Sequence, residues 1–185
     1  MIEGVFMSRI GIVDESGWDE ILKESLKETK KKYGITPNID KVFAVWPEYH
    51  QIYREKFELL LSGDTEIPYR LKLLIYSLVG SLNQCQYAYF WNQLLMRQHG
   101  MPQEAIDAVL GSVDYRNSSL DEATRAALAF SEKLTRHAYT ITDREVERLK
   151  QHFNSRQILE ICSVAAFANE INMMASALGI RLESR

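Results

Sequence analysis

The chain has 185 residues, 46% apolar and 25% charged, with nine Gly, four Pro, two Cys and a formal net charge of −3. A chain this long buries about 70% of the surface its unfolded form exposes, which predicts one soluble domain over residues 1–185, its core from about residue 35 to about residue 180, with no need of a disulfide scaffold. The slightly acidic balance argues against nucleic acid as a partner, and polar residues interrupt the apolar runs before the roughly 20 positions a membrane crossing needs, which argues against a membrane.

Residues 1 to 15 show no clear periodicity. Ser16 to Tyr33 reads as a helix stopped by Gly34 and Pro37, and its closing lysines, Lys27, Lys30, Lys31 and Lys32, complement the negative end of the helix dipole rather than mark a phosphate site. A short helical turn over Ile39 to Val45 follows, then a helix from Pro47 to about Leu61 ended by Ser62-Gly63-Asp64. From Pro68 the apolar positions Leu71, Leu74, Ile75, Leu78, Val79 and Leu82 fall on one helical face. Gly80-Ser81-Leu82-Asn83 offers a break, with Asn83 as N-cap of the next helix, Gln86 as its capping-box partner and Cys85 in the first turn. That helix ends at Gly100-Met101-Pro102. Further helices are expected over Pro102 to Leu110, Ser119 to Arg136 with a Ser119/Glu122 capping box, Thr142 to Phe153 with Thr142/Glu145, and Ser155 to Leu178, with Gly111 to Ser118 a loop. The count predicts an all-α fold of about eight helices in a single domain.

No glycine-rich phosphate loop, zinc-spaced Cys/His set or Ser-His-Asp signature is present, so no metal and no cofactor is implied. The thiol is what remains. In the first turn of a helix Cys85 would feel unsatisfied N–H groups and the positive dipole end, which favour the reactive thiolate; packing as a small buried hydrophobe is the alternative. The pair of cysteines, Cys85 and Cys162, and the absence of an export-type leader point to a cytoplasmic location.

The segments around Cys85 add a resemblance. Gly34-Ile-Thr-Pro-Asn38, Trp46-Pro-Glu48, the run Ile67 to Ile75 leading into Ser81-Leu-Asn-Gln-Cys-Gln-Tyr87, Ala129 to Leu134 with Thr142-Asp143, and the last helix with Phe167-Ala-Asn-Glu-Ile-Asn172 resemble, in order and spacing, the alkyl hydroperoxidase D-like (AhpD-like) members of the carboxymuconolactone decarboxylase superfamily. The resemblance implies an AhpD-like helical bundle that is a homo-oligomer, a trimer or hexamer. It also implies a peroxidase site made of Cys-x-x-Cys, a His four residues later and a Glu twelve residues before the first Cys. On that pattern the first Cys falls on Cys85, but the second falls on Ala88, the His on Asn92 and the Glu on Leu73.

Ala88 cannot form a disulfide, Asn92 cannot exchange a proton near neutral pH and Leu73 can do neither, which excludes the two-cysteine cycle locally. A one-cysteine cycle would leave a sulfenic acid on Cys85 for an external thiol reductant to resolve. Tyr87, Ala88, Asn92 and Asn172 are the candidate lining of its pocket. The aromatic run Tyr87, Tyr89, Phe90 and Trp91 suits an organic hydroperoxide or another apolar ligand and implies burial on several faces. Cys162 reads as a buried structural thiol on a stripe with Ile158, Ile161, Ala165 and Ala166. Asn169 and Asn172 on the same helix need hydrogen-bond partners, from an inter-helix contact or, for Asn172, from the pocket. His99 lies about 21 Å from Cys85 along a straight helix, and His50, His137 and His152 read as surface residues.

Three readings follow. The first is a peroxide-linked antioxidant oxidoreductase of the alkylhydroperoxidase and peroxiredoxin-like kind with Cys85 as nucleophile. The second is a non-redox small-molecule-binding or structural oligomer that lost the catalytic groups. The third is a decarboxylase-type enzyme on a small carboxylated or lactone substrate, for which no proton-transfer group falls on the aligned positions.

Overall fold

The computed structural model describes residues 7–13, 15–18, 20–62, 64–111 and 114–183. Its regular elements are helical: α1 (Glu20–Tyr33), α2 (Asn38–Phe43), α3 (Pro47–Phe57), α4 (Tyr69–Leu82), α5 (Gln86–Gln98), α6 (Gln103–Leu110), α7 (Glu122–His137), α8 (Asp143–Lys150) and α9 (Ser155–Leu178). Eight of these nine, counted among the described residues, have seven residues or more. The fold is all-α, as the apolar periodicity predicts.

The chain divides into two compact units, residues 1–58 with 174–185, and residues 59–173. In the first, Trp18, just before α1, and Leu22 and Leu26 along one face of it bury against Ala44, and the rings of Tyr49 and Tyr53 meet Phe43 edge-on at 5.3 and 4.9 Å. The end of the chain is tied in by polar bonds. Asn38 donates from its backbone N–H to the Glu183 carboxylate at 2.6 Å and from its amide to the Arg181 carbonyl at 3.0 Å. The Arg9 guanidinium caps the last carbonyls of α9, at Ser176 (3.1 Å) and Ala177 (2.6 Å), where a cation complements the helix end.

The second unit is built on α4, which packs against α5, α6 and α7. Residues 71–80 of α4 are all buried, Lys72 and Ser77 along with their mostly apolar neighbours, so the helix is covered on every side. Glu160 of α9 accepts the backbone N–H of Ile67 at 3.0 Å and so holds the entry to α4. Along α9, Ile161, Val164, Ala165, Phe167, Ala168 and Ile171 are buried.

Several local expectations are corrected. α1 begins at Glu20, preceded by a 3₁₀ turn at Glu15–Gly17, and the helix from Pro47 gives way at Glu58–Ser62 to a π turn. The cap of α7 is Asp121, whose carboxylate accepts the Thr124 N–H at 2.8 Å; Ser119 instead donates its N–H to Glu104 at 3.0 Å. The Thr142 cap holds: its N–H and hydroxyl donate to Glu145 at 2.8 and 3.0 Å. The expected loop at Gly111 to Ser118 contains a 3₁₀ turn at Tyr115–Asn117, with residues 112 and 113 outside the described residues; of the unperiodic N-terminal stretch, residues 1–6 and 14 lie outside them too. The expectation that no stretch reaches bilayer length is also corrected, since α9, with 24 residues, is long and apolar enough by length and composition alone.

Candidate functional site

The α4–α5 junction sets the position of Cys85. α4 ends in a Schellman motif: Gln84 takes a left-handed conformation (φ 51°), its N–H donates to Ser81 O at 3.0 Å, and the Cys85 N–H reaches back to Gly80 O at 3.1 Å. Cys85 itself is the N-cap of α5, in extended backbone geometry, with its carbonyl accepting the Tyr89 N–H at 2.9 Å. This moves the thiol two positions from the predicted register. Asn83 caps the end of α4 rather than the start of α5, and Gln86 is the first helical residue rather than a capping-box partner. The consequence is that the backbone of one residue closes one helix and opens the next.

Cys85 is buried, 3% exposed, and is a free cysteine. Cys85 and Glu170 both lie within electrostatic range of Tyr76. Burial pushes the Tyr76 phenol well above its ordinary range, and the Cys85 and Glu170 charges push it further, so the phenol stays protonated and able to donate. Sequence reasoning missed Tyr76, which lies off the apolar stripe of α4; its ring packs 6.4 Å from Phe167.

Gly80 is the meeting point of the other candidates. A Cβ built there would lie 3.1 Å from Asn92 Nδ2, 3.2 Å from Ala88 Cβ and 3.8 Å from Asn172 Nδ2. The structure therefore brings Ala88, Asn92 and Asn172 together around the glycine whose carbonyl holds the Cys85 amide. All three are buried. Asn92 donates to the Tyr76 carbonyl at 3.4 Å, whereas both polar atoms of Asn172 are buried without a hydrogen-bond partner. Tyr87 is buried with Trp91, their centroids 6.5 Å apart, while Tyr89 is 40% exposed in the single chain.

Asn169 behaves as a structural residue. Its Oδ1 accepts from Asn83 Nδ2 at 2.9 Å, and its Nδ2 donates to Thr135 Oγ1 and Ala165 O, both at 3.0 Å, fastening α9 to α7 and to the α4–α5 turn. Cys162 is half-buried rather than buried, and what burial it has pushes its thiol up. His50 is a correction: it is 2% exposed and shares a 2.9 Å hydrogen bond with the buried Asp40, with Arg54 3.8 Å from the same carboxylate oxygen. A charged residue ten positions earlier in the sequence gave no periodic signal of that pairing. His99 and His137 are exposed and His152 half-exposed.

No protein-family model matches the sequence, and no curated protein does. Among solved structures, an uncharacterized peroxidase-related protein from Silicibacter sp. TM1040 superposes with a TM-score of 0.88 at 25% identity, covering 100% of this chain and 96% of that one. An uncharacterized peroxidase-related protein from Ralstonia eutropha JMP134, described as an alkylhydroperoxidase AhpD core, gives 0.87 at 22% identity over 96% of this chain and 93% of that one. This chain has the AhpD-like fold. The debrominase Bmp8 is a further structure similar to it, with a TM-score of 0.80 at 17% identity over 98% and 94% of the two chains. A cysteine-to-alanine variant of Bmp8 in complex with 2,3,4-tribromopyrrole gives 0.79 at 18% identity, over 94% of this chain and 90% of that one. Within its AhpD-like fold this chain buries Leu73, Ala88 and Asn92 at the positions where the sequence resemblance implies Glu, Cys and His.

Proposed function

We propose that this chain is a peroxide-linked oxidoreductase with Cys85 as its single reacting thiol. The observation that carries the reading is the placement of that thiol at the amino end of α5. The first-turn N–H groups of a helix have no intrahelical acceptor and favour negative charge at the cap. A thiolate there attacks the terminal oxygen of a hydroperoxide; the O–O bond breaks, the sulfur is oxidised to sulfenic acid, and the other oxygen leaves as an alcohol after taking a proton. We assign that proton to the Tyr76 phenol, which interacts electrostatically with the thiol. With alanine at position 88, an external thiol condenses with the sulfenic acid, releasing water, and a second thiol equivalent frees Cys85 as a disulfide product leaves.

A non-redox binding role is the second reading, favoured by the 3% exposure of Cys85 and by the side chains at positions 73, 88 and 92. Intact-mass analysis after stoichiometric cumene hydroperoxide separates the two. A species heavier by about 16 Da, trapped by a sulfenic-acid reagent and lost in Cys85→Ser, supports the redox reading. Unmodified protein under the same conditions supports binding. A parallel arm with 2,3,4-tribromopyrrole and a thiol reductant asks whether a brominated substrate, as bound by Bmp8, is turned over in place of a peroxide. Assembly into a homo-oligomer in the cytoplasm belongs to the same proposal.

A further inference from the structure

The two asparagines of α9 differ in a way their shared face does not explain. Asn169 has every bond its amide needs, to Asn83, Thr135 and Ala165. Asn172, one turn on and 0% exposed, has none: Oδ1 and Nδ2 are both buried and unpartnered. Buried carboxamides are retained without partners only where something offsets the loss, because an apolar residue of the same size would cost less. The unpaired amide faces Gly80, its Nδ2 3.8 Å from the vacant Cβ position, and the Gly80 carbonyl anchors Cys85 through a 3.1 Å bond. The neighbouring amide of Asn92 is already engaged with Tyr76 O.

We infer that Asn172 is the substrate contact for the hydroperoxide group at Cys85. This rests on the peroxide reading above and names the residue that orients the substrate. A hydroperoxide, R–O–O–H, offers one donor and two acceptors, which is the complement of a carboxamide. Oδ1 accepts from the terminal O–H, and Nδ2 donates to the inner oxygen, where negative charge develops as the O–O bond breaks. The attacking sulfur then bonds to the terminal oxygen, which keeps its hydrogen in the sulfenic acid, while the O–O bond breaks and the inner oxygen departs as ROH after taking a proton from the Tyr76 phenol, which solvent then reprotonates.

The test pairs rate with stability in Asn172→Leu. If the amide serves substrate, the leucine variant holds or raises its Tm by a few degrees while the rate constant for Cys85 oxidation by tert-butyl hydroperoxide falls at least about tenfold. A lower Tm with an unchanged oxidation rate overturns the inference, because it makes Asn172 a structural residue. Wild-type protein that is never oxidised at Cys85 defeats the peroxide reading itself, whereas oxidation that proceeds equally in both proteins defeats only the role of Asn172. Should Asn172→Leu fail to fold, the side-chain amide resonances of Asn172 in ¹⁵N-labelled Cys85→Ser protein give the answer. A shift on titration with tert-butyl hydroperoxide supports the contact, and no shift overturns it.

Discussion

Gly80→Ala tests the packing on which the site depends. Gly80 lies inside α4, where alanine favours the helix by about 1 kcal/mol through propensity alone. Against this, the new methyl would sit 3.1 Å from Asn92 Nδ2 and 3.2 Å from Ala88 Cβ, closer than ordinary van der Waals contact. Both neighbours are buried on α5, which opposes the shift of a few tenths of an ångström that the methyl demands. Overpacking of this kind costs about 1–3 kcal/mol, so the net change is a loss of about 1 kcal/mol, with a range of about 0–2. In a chain of this length that lowers Tm by about 2–4 °C, readable by thermal and urea denaturation followed by circular dichroism. The double variant Gly80→Ala with Ala88→Gly removes the 3.2 Å contact and should show a favourable coupling of at least about 0.5 kcal/mol. A single variant stabilised by about 1 kcal/mol, the propensity gain unopposed, would refute the close approach of α4 and α5.

Three further outcomes are expected. Gln84→Gly, at the left-handed position of the Schellman motif, should stabilise the protein by about 0.5–1 kcal/mol in urea denaturation, since glycine meets no Cβ penalty there. His50→Phe leaves Asp40 Oδ1 buried without its 2.9 Å partner and should cost about 1–3 kcal/mol by the same measurement. The Lys133 ammonium, and after it the Thr142 N–H, hold the Glu145 carboxyl down from its ordinary 4.5 to about 2. Its contribution is therefore present above pH 4.5 and lost as pH falls through about 2, so the Tm difference between wild type and Glu145→Gln should close across that window. A difference that stays constant from about pH 7 to about pH 2 would contradict the assignment.

The helices were legible because their signals are local. Apolar spacing located α4, Gly100 and Pro102 separated α5 from α6, and Ser155–Leu178 was read to the residue. The ends were less legible where two residues competed to cap. Ser119 and Asp121 both precede α7, and the side-chain bond to Thr124 decides for Asp121. At Asn83 the sequence favours an N-cap, yet the left-handed Gln84 makes the same stretch the close of α4; a non-glycine residue in that conformation has no sequence signal. Of the site, Cys85, Ala88, Asn92 and Asn172 were nameable from spacing and resemblance, and the structure gathers the last three at Gly80. Tyr76 and the pairing of His50 with Asp40 depend on tertiary contacts that leave no periodic trace. The partnering of Asn169 and the lack of it at Asn172 likewise appear only once α9 meets α4 and α7.

The two cysteines of this chain allow a direct contest between accessibility and site chemistry, because Cys162 is half-buried whereas Cys85 is 3% exposed. Peptide mapping after limiting hydroperoxide, in the presence of a sulfenic-acid trap, reads which sulfur reacts first. A peroxide-reactive site at the start of α5 predicts the adduct on Cys85 with Cys162 unmodified. An adduct on Cys162 alone would mean that exposure governs the reaction and that Cys85 is a packed residue with no catalytic part.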